Sequence, residues 1–155
     1  MPTPSASLCA SIRPPKKFSA SLQQNREFPA PFCRLVAVVS GMVIGFAVLM
    51  PVSVRAVYAG VAEVSIYIAP EYSGKGAGTI LLHALIAASE QHSIWMLQSG
   101  ILSGNAASVR LHEKCGFRFV GYREKIGCDR HGTWRDVIFF ERRSRVVAWE
   151  EPAEK

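Results

Sequence analysis

The chain has 155 residues, 49% of them hydrophobic, which is enough for one domain with a buried core. Its formal net charge is +6, and ten of its eighteen Lys and Arg residues lie between Arg110 and Arg145. These cations are interspersed with acidic and apolar residues and form no repeat with aromatic residues. The charge therefore favours a solvated surface, or one that attracts a phosphorylated small molecule, over nucleic acid.

Four cysteines are spread along the chain with no CxxC pair and no secretion signal: Cys9, Cys33, Cys115 and Cys128. Reduced thiols and a cytoplasmic location are therefore expected. The pairs His112-x-x-Cys115 and Cys128-x-x-His131 contain the ligand types of a tetrahedral zinc site. Because they flank a strand-like run and neither forms a knuckle-like turn, the sequence favours a protein without metal.

The N-terminal segment has a composition unlike the rest of the chain. Residues 1–26 hold four prolines, five serines and no acid. Such a segment cannot bury enough apolar surface to offset the entropy lost on ordering. Residues 1–25 are therefore predicted to be disordered or unrelated to the domain that follows, with a targeting segment as the alternative.

Residues 35–54 contain no charged side chain, so their length fits a membrane-spanning helix. Ser40-Gly41 forms a turn pair within this run, Pro51 lies near its end, and β-branched residues are frequent. These features favour a β-hairpin with strands over 35–39 and 42–49, without a membrane partner.

Beyond the hairpin, strand and helix patterns alternate. Val64, Ile66 and Ile68 recur with period two, and a broad apolar face follows the glycines. The predicted elements, in order, are a strand, a helix, a strand, a helix and two strands, over 62–69, 79–92, 95–101, 105–115, 117–126 and 134–141. This order predicts a mixed α/β sheet protein.

Three glycines, Gly74, Gly76 and Gly78, separate the third strand from the first helix. A glycine inside an element costs about 0.5–1 kcal/mol relative to alanine, so the cluster needs a reason. A glycine loop between a strand and a helix lets backbone N–H groups bind an anion. The spacing matches neither of the common nucleotide-phosphate motifs, and a plain glycine turn stays an alternative.

The segment VSIYIAPEYSGKGAG, followed later by SGNAASVRLHEKCGFRFVG, resembles the GNAT superfamily of acetyl-CoA-dependent N-acetyltransferases. AEVSIYI, NAASVRLHEKCGF and HGTWRDV are similar to its phosphinothricin and methionine-sulfoximine N-acetyltransferase branch. The resemblance covers about residues 26–143 and implies a domain over 26–145 with a tail over 146–155. It implies a mixed, mostly antiparallel central sheet flanked by helices, lacking the family's first strand and first two helices.

The resemblance also implies an activity. Acetyl would pass from acetyl-CoA directly to the primary amine of a small amino-acid-like molecule, with no metal and no covalent enzyme intermediate. The glycine loop would bind the CoA pyrophosphate, and the third strand would bind the pantetheine arm. The implied acetyl-CoA contacts are Ile66, Tyr67, Ile68, Gly74, Lys75, Gly76, Ala77, Gly78, Thr79, Asn105 and Ser108. Asn105 is also predicted to be the N-cap of the helix that follows it.

The same resemblance assigns catalytic and acceptor residues. Glu63 would take the proton of the ammonium group, and His112 would protonate the leaving thiolate. Arg55 and Tyr58 would bind the acceptor, since Arg pairs well with a carboxylate or phosphinate. The alternatives are a solvated Glu63, a packed helix histidine at His112 and a surface arginine at Arg55.

Two departures from the family stand out. Ser73 replaces the usual basic or Gln residue that opens the pyrophosphate loop. The family's first strand and first two helices, which form one wall of the acceptor site, have no recognised counterpart. A truncated CoA-binding protein with little or no turnover is therefore the alternative function, and the oligomeric state, monomer or homodimer, stays open.

Overall fold

The computed structural model describes residues 33–148, which form six strands and two α-helices. The strands are β1 Arg34–Val39, β2 Met42–Pro51, β3 Val61–Ile68, β4 Met96–Leu102, β5 Arg118–Cys128 and β6 Trp134–Arg143. The helices are α1 Ala77–Gln91 and α2 Ala106–Lys114, and short 3-10 turns cover Ala56–Tyr58 and Pro70–Tyr72. All eight elements predicted from the sequence are confirmed, with bounds shifted by a few residues.

The strands form one sheet in the order β1-β2-β3-β4-β6-β5. Every neighbouring pair is antiparallel except β3 and β4, which are parallel. That parallel pair extends over three residues only, from Val61 opposite Met96 to Glu63 opposite Gln98. Beyond Glu63, β3 continues to Ile68 without β4 as a neighbour, so one edge of β3 opens in the middle of the sheet.

The apolar run at 35–54 is confirmed as a hairpin rather than a helix. Ser40 and Gly41 have φ angles of 49° and 79°, the left-handed conformation that a two-residue hairpin turn requires at both positions. Val39 pairs directly with Met42 across the turn. Among the helices within residues 33–148, none is long and apolar enough to cross a membrane.

Both helices cover the same face of the sheet. Leu82 and Leu85 of α1 are fully buried in one core with Val64 of β3 and Phe140 of β6. The ring of His112 in α2 lies 6.3 Å from the ring of Phe140. Each buried side chain of this size stabilises the fold by about 1.5–3 kcal/mol, so this face anchors the helices.

Residues 1–32 and 149–155 lie outside the described part of the chain. The predicted N-terminal segment and the end of the predicted tail fall there, and the absence of the family's first strand and first two helices stays a prediction.

Candidate functional site

A cleft of about 570 Å³ lies between the end of β3, the glycine loop and one face of α2. Nine of the eleven residues predicted to contact acetyl-CoA line it, and Lys75 and Ala77 are the exceptions. Six further residues complete the lining, of which the sequence analysis had named only Ser73, at the opening of the loop: Tyr72, Ser73, Ala107, Arg110, Leu111 and Lys114. The structure therefore brings together residues that are up to forty-eight positions apart in the chain.

The open edge of β3 presents particular backbone groups to the cleft. The N–H of Ala69 donates to the carbonyl of Ile44 on the β2 side, at 2.8 Å. Because peptide groups alternate in direction along a strand, those of Ile66 and Ile68 point away from β2, to the side where β4 has diverged. The resemblance implies acetyl-CoA contacts at Ile66, Tyr67 and Ile68 alike. By this alternation the peptide groups of Tyr67 face β2, and its half-exposed ring stacks on Phe46.

The glycine loop ends at a helix start without a side-chain cap. Gly74 and Gly76 have φ angles of 74° and 87°, and a Cβ on either would meet nothing within 4 Å, so the positive φ is what requires glycine. No side chain caps α1 and no acid lies in its first turn. The first N–H groups of α1 therefore point into the cleft region with the positive end of the helix dipole.

Gly78 has a different reason for being glycine. A Cβ there would lie 3.3 Å from Cδ2 of Leu111 and 3.6 Å from Cγ1 of Ile68. Gly78 therefore lets α1 approach α2 and β3 closely. The local sequence could not separate this packing role from the loop role of its neighbours, because Leu111 is thirty-three residues away.

Helix α2 forms the opposite wall. The side chain of Asn105 accepts a hydrogen bond from the N–H of Ser108 at 3.1 Å, which confirms the predicted N-cap. Asn105 also lines the cleft, so its position is compatible with both suggested roles, the helix cap and the contact with acetyl-CoA. Ser108, Leu111 and Lys114 recur at helical spacing along the same wall.

Glu63 lies at the last parallel pair between β3 and β4. Its neighbours Ala62 and Val64 are buried in the core under α1, so its half-buried side chain faces the opposite side of the sheet. Nε2 of Gln98 donates to Oε2 of Glu63 at 3.5 Å. Glu63 does not line the cleft, but it lies at the point where the gap between the two strands begins.

His112 is 1% exposed and also lies outside the cleft lining. Its Nδ1 donates to the carbonyl of Ser108 at 2.8 Å, because a carbonyl only accepts. Burial lowers the pKa of His112 below its ordinary value, and the bond to Ser108 opposes this in part. Nε2 is buried and has no hydrogen-bond partner within the described residues. A neutral ring with its proton on Nδ1 presents a lone pair at Nε2, whereas the predicted acid would need a proton there.

The predicted acceptor residues lie at the two ends of the 3-10 turn before β3, Arg55 directly ahead of it and Tyr58 as its last residue. Arg55 and Tyr58 are both exposed, and the guanidinium of Arg55 lies 5.8 Å from the centre of the Tyr58 ring. Neither lines the cleft. Within residues 33–148, Arg55 takes part in none of the three ion pairs.

No group of three or more His, Cys, Asp or Glu side chains within the described residues could hold a metal ion. His112 of α2 and Cys115 at the C-terminal end of that helix are buried, whereas Cys128 and His131 are exposed near the turn between β5 and β6.

The sequence model of the acetyltransferase (GNAT) family matches residues 6–117. The chain belongs to this family. The matched range reaches further toward the N-terminus than the motifs that carry the resemblance.

Three relatives illustrate the likeness. The phosphinothricin N-acetyltransferase of Streptomyces coelicolor is 34% identical over 100 residues, which are 64% of this chain and 58% of that protein. The L-methionine sulfoximine/L-methionine sulfone acetyltransferase of Pseudomonas aeruginosa is 36% identical over 84 residues, 54% of this chain and 48% of that protein. The chain thus spans about half the length of these curated relatives. The structure of a phosphinothricin acetyltransferase from Sinorhizobium meliloti in complex with AcCoA is similar with a TM-score of 0.76, at 29% identity, covering 91% of this chain and 76% of that one.

Proposed function

We propose that this protein is an N-acetyltransferase that moves acetyl from acetyl-CoA to the primary amine of a small amino-acid-like molecule, of the phosphinothricin or methionine sulfoximine type. The observation that carries the proposal is the cleft in which an open strand edge, an uncapped helix start and the polar wall of α2 meet. Family membership and the named activities of the relatives support the same reaction class.

The residues of the cleft fit acetyl-CoA. The first N–H groups of α1 and the loop of Gly74 and Gly76 would bind the pyrophosphate oxygens, since both supply donors and no competing carboxylate. The outward peptide groups of Ile66 and Ile68 would pair with the amide groups of the pantetheine arm, as one strand pairs with another. Asn105 and Ser108 would border the same arm from the other wall.

The chemistry needs a neutral amine, because an ammonium has no free electron pair. Glu63 would take the proton, directly or through water, while Gln98 orients the carboxylate through one of its oxygens. The amine nitrogen then forms a bond to the acetyl carbon, the bond from that carbon to sulfur breaks, and the proton that the nitrogen loses on forming the amide balances the proton that the leaving thiolate takes up. An outward N–H at the end of β3 would stabilise the charge on the acetyl oxygen. His112 would protonate the thiolate only if its Nε2 carries a proton.

The acceptor would approach from the 3-10 turn before β3. Arg55 would pair with the carboxylate or phosphinate of such a molecule, and Tyr58 would pack beside it. The turn leads through Gly60 directly into the strand that carries Glu63, so acceptor binding and proton removal would depend on one short segment.

Acetyl transfer tests the proposal directly. Purified protein is mixed with acetyl-CoA and, separately, phosphinothricin, methionine sulfoximine or methionine sulfone, and free thiol and acetylated amine are both measured. We expect thiol release that depends on the amine and a product heavier by one acetyl group. Binding of acetyl-CoA without transfer to any amine would contradict the proposal and indicate a protein that binds CoA without turnover.

A further inference from the structure

The face of the sheet opposite the helices has an open patch between Glu63 and Phe139. Gly100 of β4 lies directly opposite Phe139 of β6 and is exposed, although β4 is a central strand. Gly100 follows Gln98, the partner of Glu63, by two residues, so both lie on the same face. A Cβ at Gly100 would come within 3.1 Å of Cγ1 of Val137. The glycine therefore leaves room above the sheet in the open patch.

A cation borders the open patch on the side of the edge strand. Arg123 of β5 lies opposite Val137 of β6, and its guanidinium lies 4.3 Å from the centre of the Phe139 ring. A contact of this kind between a cation and a ring favours one position of the guanidinium. The side chain of Arg123 therefore extends from β5 back over β6, toward the strand that carries Glu63.

Carboxylates in the described part of the chain do not neutralise Arg123. It takes part in none of the three ion pairs within residues 33–148. Arg118, the other arginine of β5, lies opposite Glu141 and forms an ion pair with it. Of these two arginines, Arg123 is thus the one whose charge is available to an anionic ligand.

The spacing between the base and the cation suits a small amino acid. Glu63 and Phe139 lie two strands and two residues apart. With about 4.8 Å between strands and about 3.4 Å per residue, their Cα atoms are about 12 Å apart. A hydrogen bond of about 3 Å at each end leaves about 6 Å for a molecule between the carboxylate and the guanidinium. That length matches an amine and an acid group at the two ends of a short amino-acid side chain.

We propose that Arg123 is a specificity-determining residue that binds an anionic group at the end of the acceptor's side chain. The protein then prefers such acceptors to neutral ones of the same shape; this rests on the proposed function. Arg55 precedes β3 and so lies on the other side of Glu63 along the strand, where it would bind the α-carboxylate. The amine lies at Glu63, between the two arginines. The guanidinium fork of Arg123 matches the two oxygens of a phosphinate.

The experiment compares two acceptors of nearly the same shape that differ by one charge. Phosphinothricin ends in an anionic methylphosphinate, and methionine sulfone ends in a neutral methylsulfone. Thiol release at saturating acetyl-CoA gives kcat and KM for each acceptor. We expect wild type to prefer phosphinothricin by about tenfold in kcat/KM, the size of effect that one hydrogen bond to a charged group gives. In Arg123→Gln the preference disappears through a higher KM for phosphinothricin, while the constants for methionine sulfone stay unchanged.

Two control variants separate Arg123 from other cations. Arg55→Gln lowers kcat/KM for both acceptors, since both carry an α-carboxylate, and keeps their ratio. Lys125→Gln removes a charge from an exposed position two residues further along β5 and changes neither value. Unchanged turnover of methionine sulfone by Arg123→Gln shows that this variant is folded. Raising the salt concentration reduces the wild-type preference, because exposed charges are screened.

Several outcomes overturn the inference. Loss of the preference in Arg55→Gln but not in Arg123→Gln would assign the phosphinate to Arg55. An equal loss of activity toward both acceptors in Arg123→Gln would show that Arg123 does not discriminate between them. Equal kcat/KM of wild type for both acceptors would reject the inference while leaving the acetyltransferase proposal standing. If wild type acetylates neither acceptor, the proposed function fails and this inference fails with it.

Discussion

Glu63 is placed by the strand pairing around it. It is the last residue of β3 that still has a partner in β4, and Gln98 donates to its carboxylate from that partner strand. Replacing Glu63 with Gln keeps the shape but cannot accept the ammonium proton. We expect kcat to fall by about 10²–10⁴-fold, the usual contribution of a general base, with little change in acetyl-CoA affinity. The measurement is thiol release under saturating acetyl-CoA.

The matched control is Glu124→Gln, which removes the same charge from an exposed position of β5. Its kcat is expected to equal that of wild type. If Glu63→Gln turns over as fast as the control, Glu63 has no part in proton transfer.

His112 makes stability depend on pH in a definite direction. Its pKa is lowered by burial in the fold, so below about pH 6.5 the unfolded chain binds a proton that the folded chain resists. Stability is therefore complete above the ordinary histidine pKa and is lost as the pH falls toward the folded pKa. We expect the melting temperature to fall between about pH 7 and pH 5, and to fall less in His112→Phe, whose ring takes up no proton.

The control for this prediction is His83→Gln, at an exposed position of α1, which keeps the wild-type dependence. An unchanged pH dependence in His112→Phe would show that His112 is not the group responsible. Turnover by His112→Phe at neutral pH would separately remove His112 as the proton donor.

At the scale of elements, the start of α1 depends on a backbone conformation that glycine adopts readily. Gly76 and Gly132 both have positive φ, 87° and 78°, and neither would crowd a Cβ. Alanine at either position costs about 1 kcal/mol or more from the left-handed conformation. We expect similar losses of melting temperature in Gly76→Ala and Gly132→Ala, but weaker binding of acetyl-CoA only in Gly76→Ala. Equal affinities of the two variants for acetyl-CoA would show that the glycine loop does not bind the ligand.

The junction of β3 and β4 depends on a close approach rather than on φ. A Cβ on Gly60 would lie 2.0 Å from the ring of Trp95, and the carbonyl of Gly60 accepts from the N–H groups of both Trp95 and Met96. We expect Gly60→Ala to lower the free energy of unfolding by about 1–3 kcal/mol, measured by urea titration. Gly121→Ala, where a Cβ meets nothing within 4 Å, serves as the neutral control.

The helices and strands could be predicted from the sequence because short-range interactions determine them, whereas the contacts between these elements could not be predicted. Ser40-Gly41 fixed the hairpin turn and Asn105 fixed the start of α2, because each acts on residues within one turn. The contact between Gly78 and Leu111 depends on how two helices pack. In the sequence, Arg110 and Lys114 could be recognised only as part of a basic stretch, because their position in the cleft depends on how the two helices pack.

Across the whole molecule, the sheet separates two halves of the proposed reaction. Both helices and the cleft lie on one face, and the side chain of Glu63 lies on the other. The strands β3 and β4 part just beyond Glu63, so the gap between them joins the two faces. The acetyl group would reach the amine through this gap, near the centre of the sheet.

Because the cleft is formed by β3, α1 and α2 together, a ligand that binds it stabilises the whole domain. At a concentration of one hundred times its dissociation constant, acetyl-CoA would add about 2.7 kcal/mol to the free energy of unfolding. For a chain of this size we expect the melting temperature to rise by about 5–10 °C. The rise should be smaller for Gly76→Ala at the same concentration and unchanged for Gly132→Ala. A melting temperature that stays constant up to millimolar acetyl-CoA would contradict the assignment of the cleft.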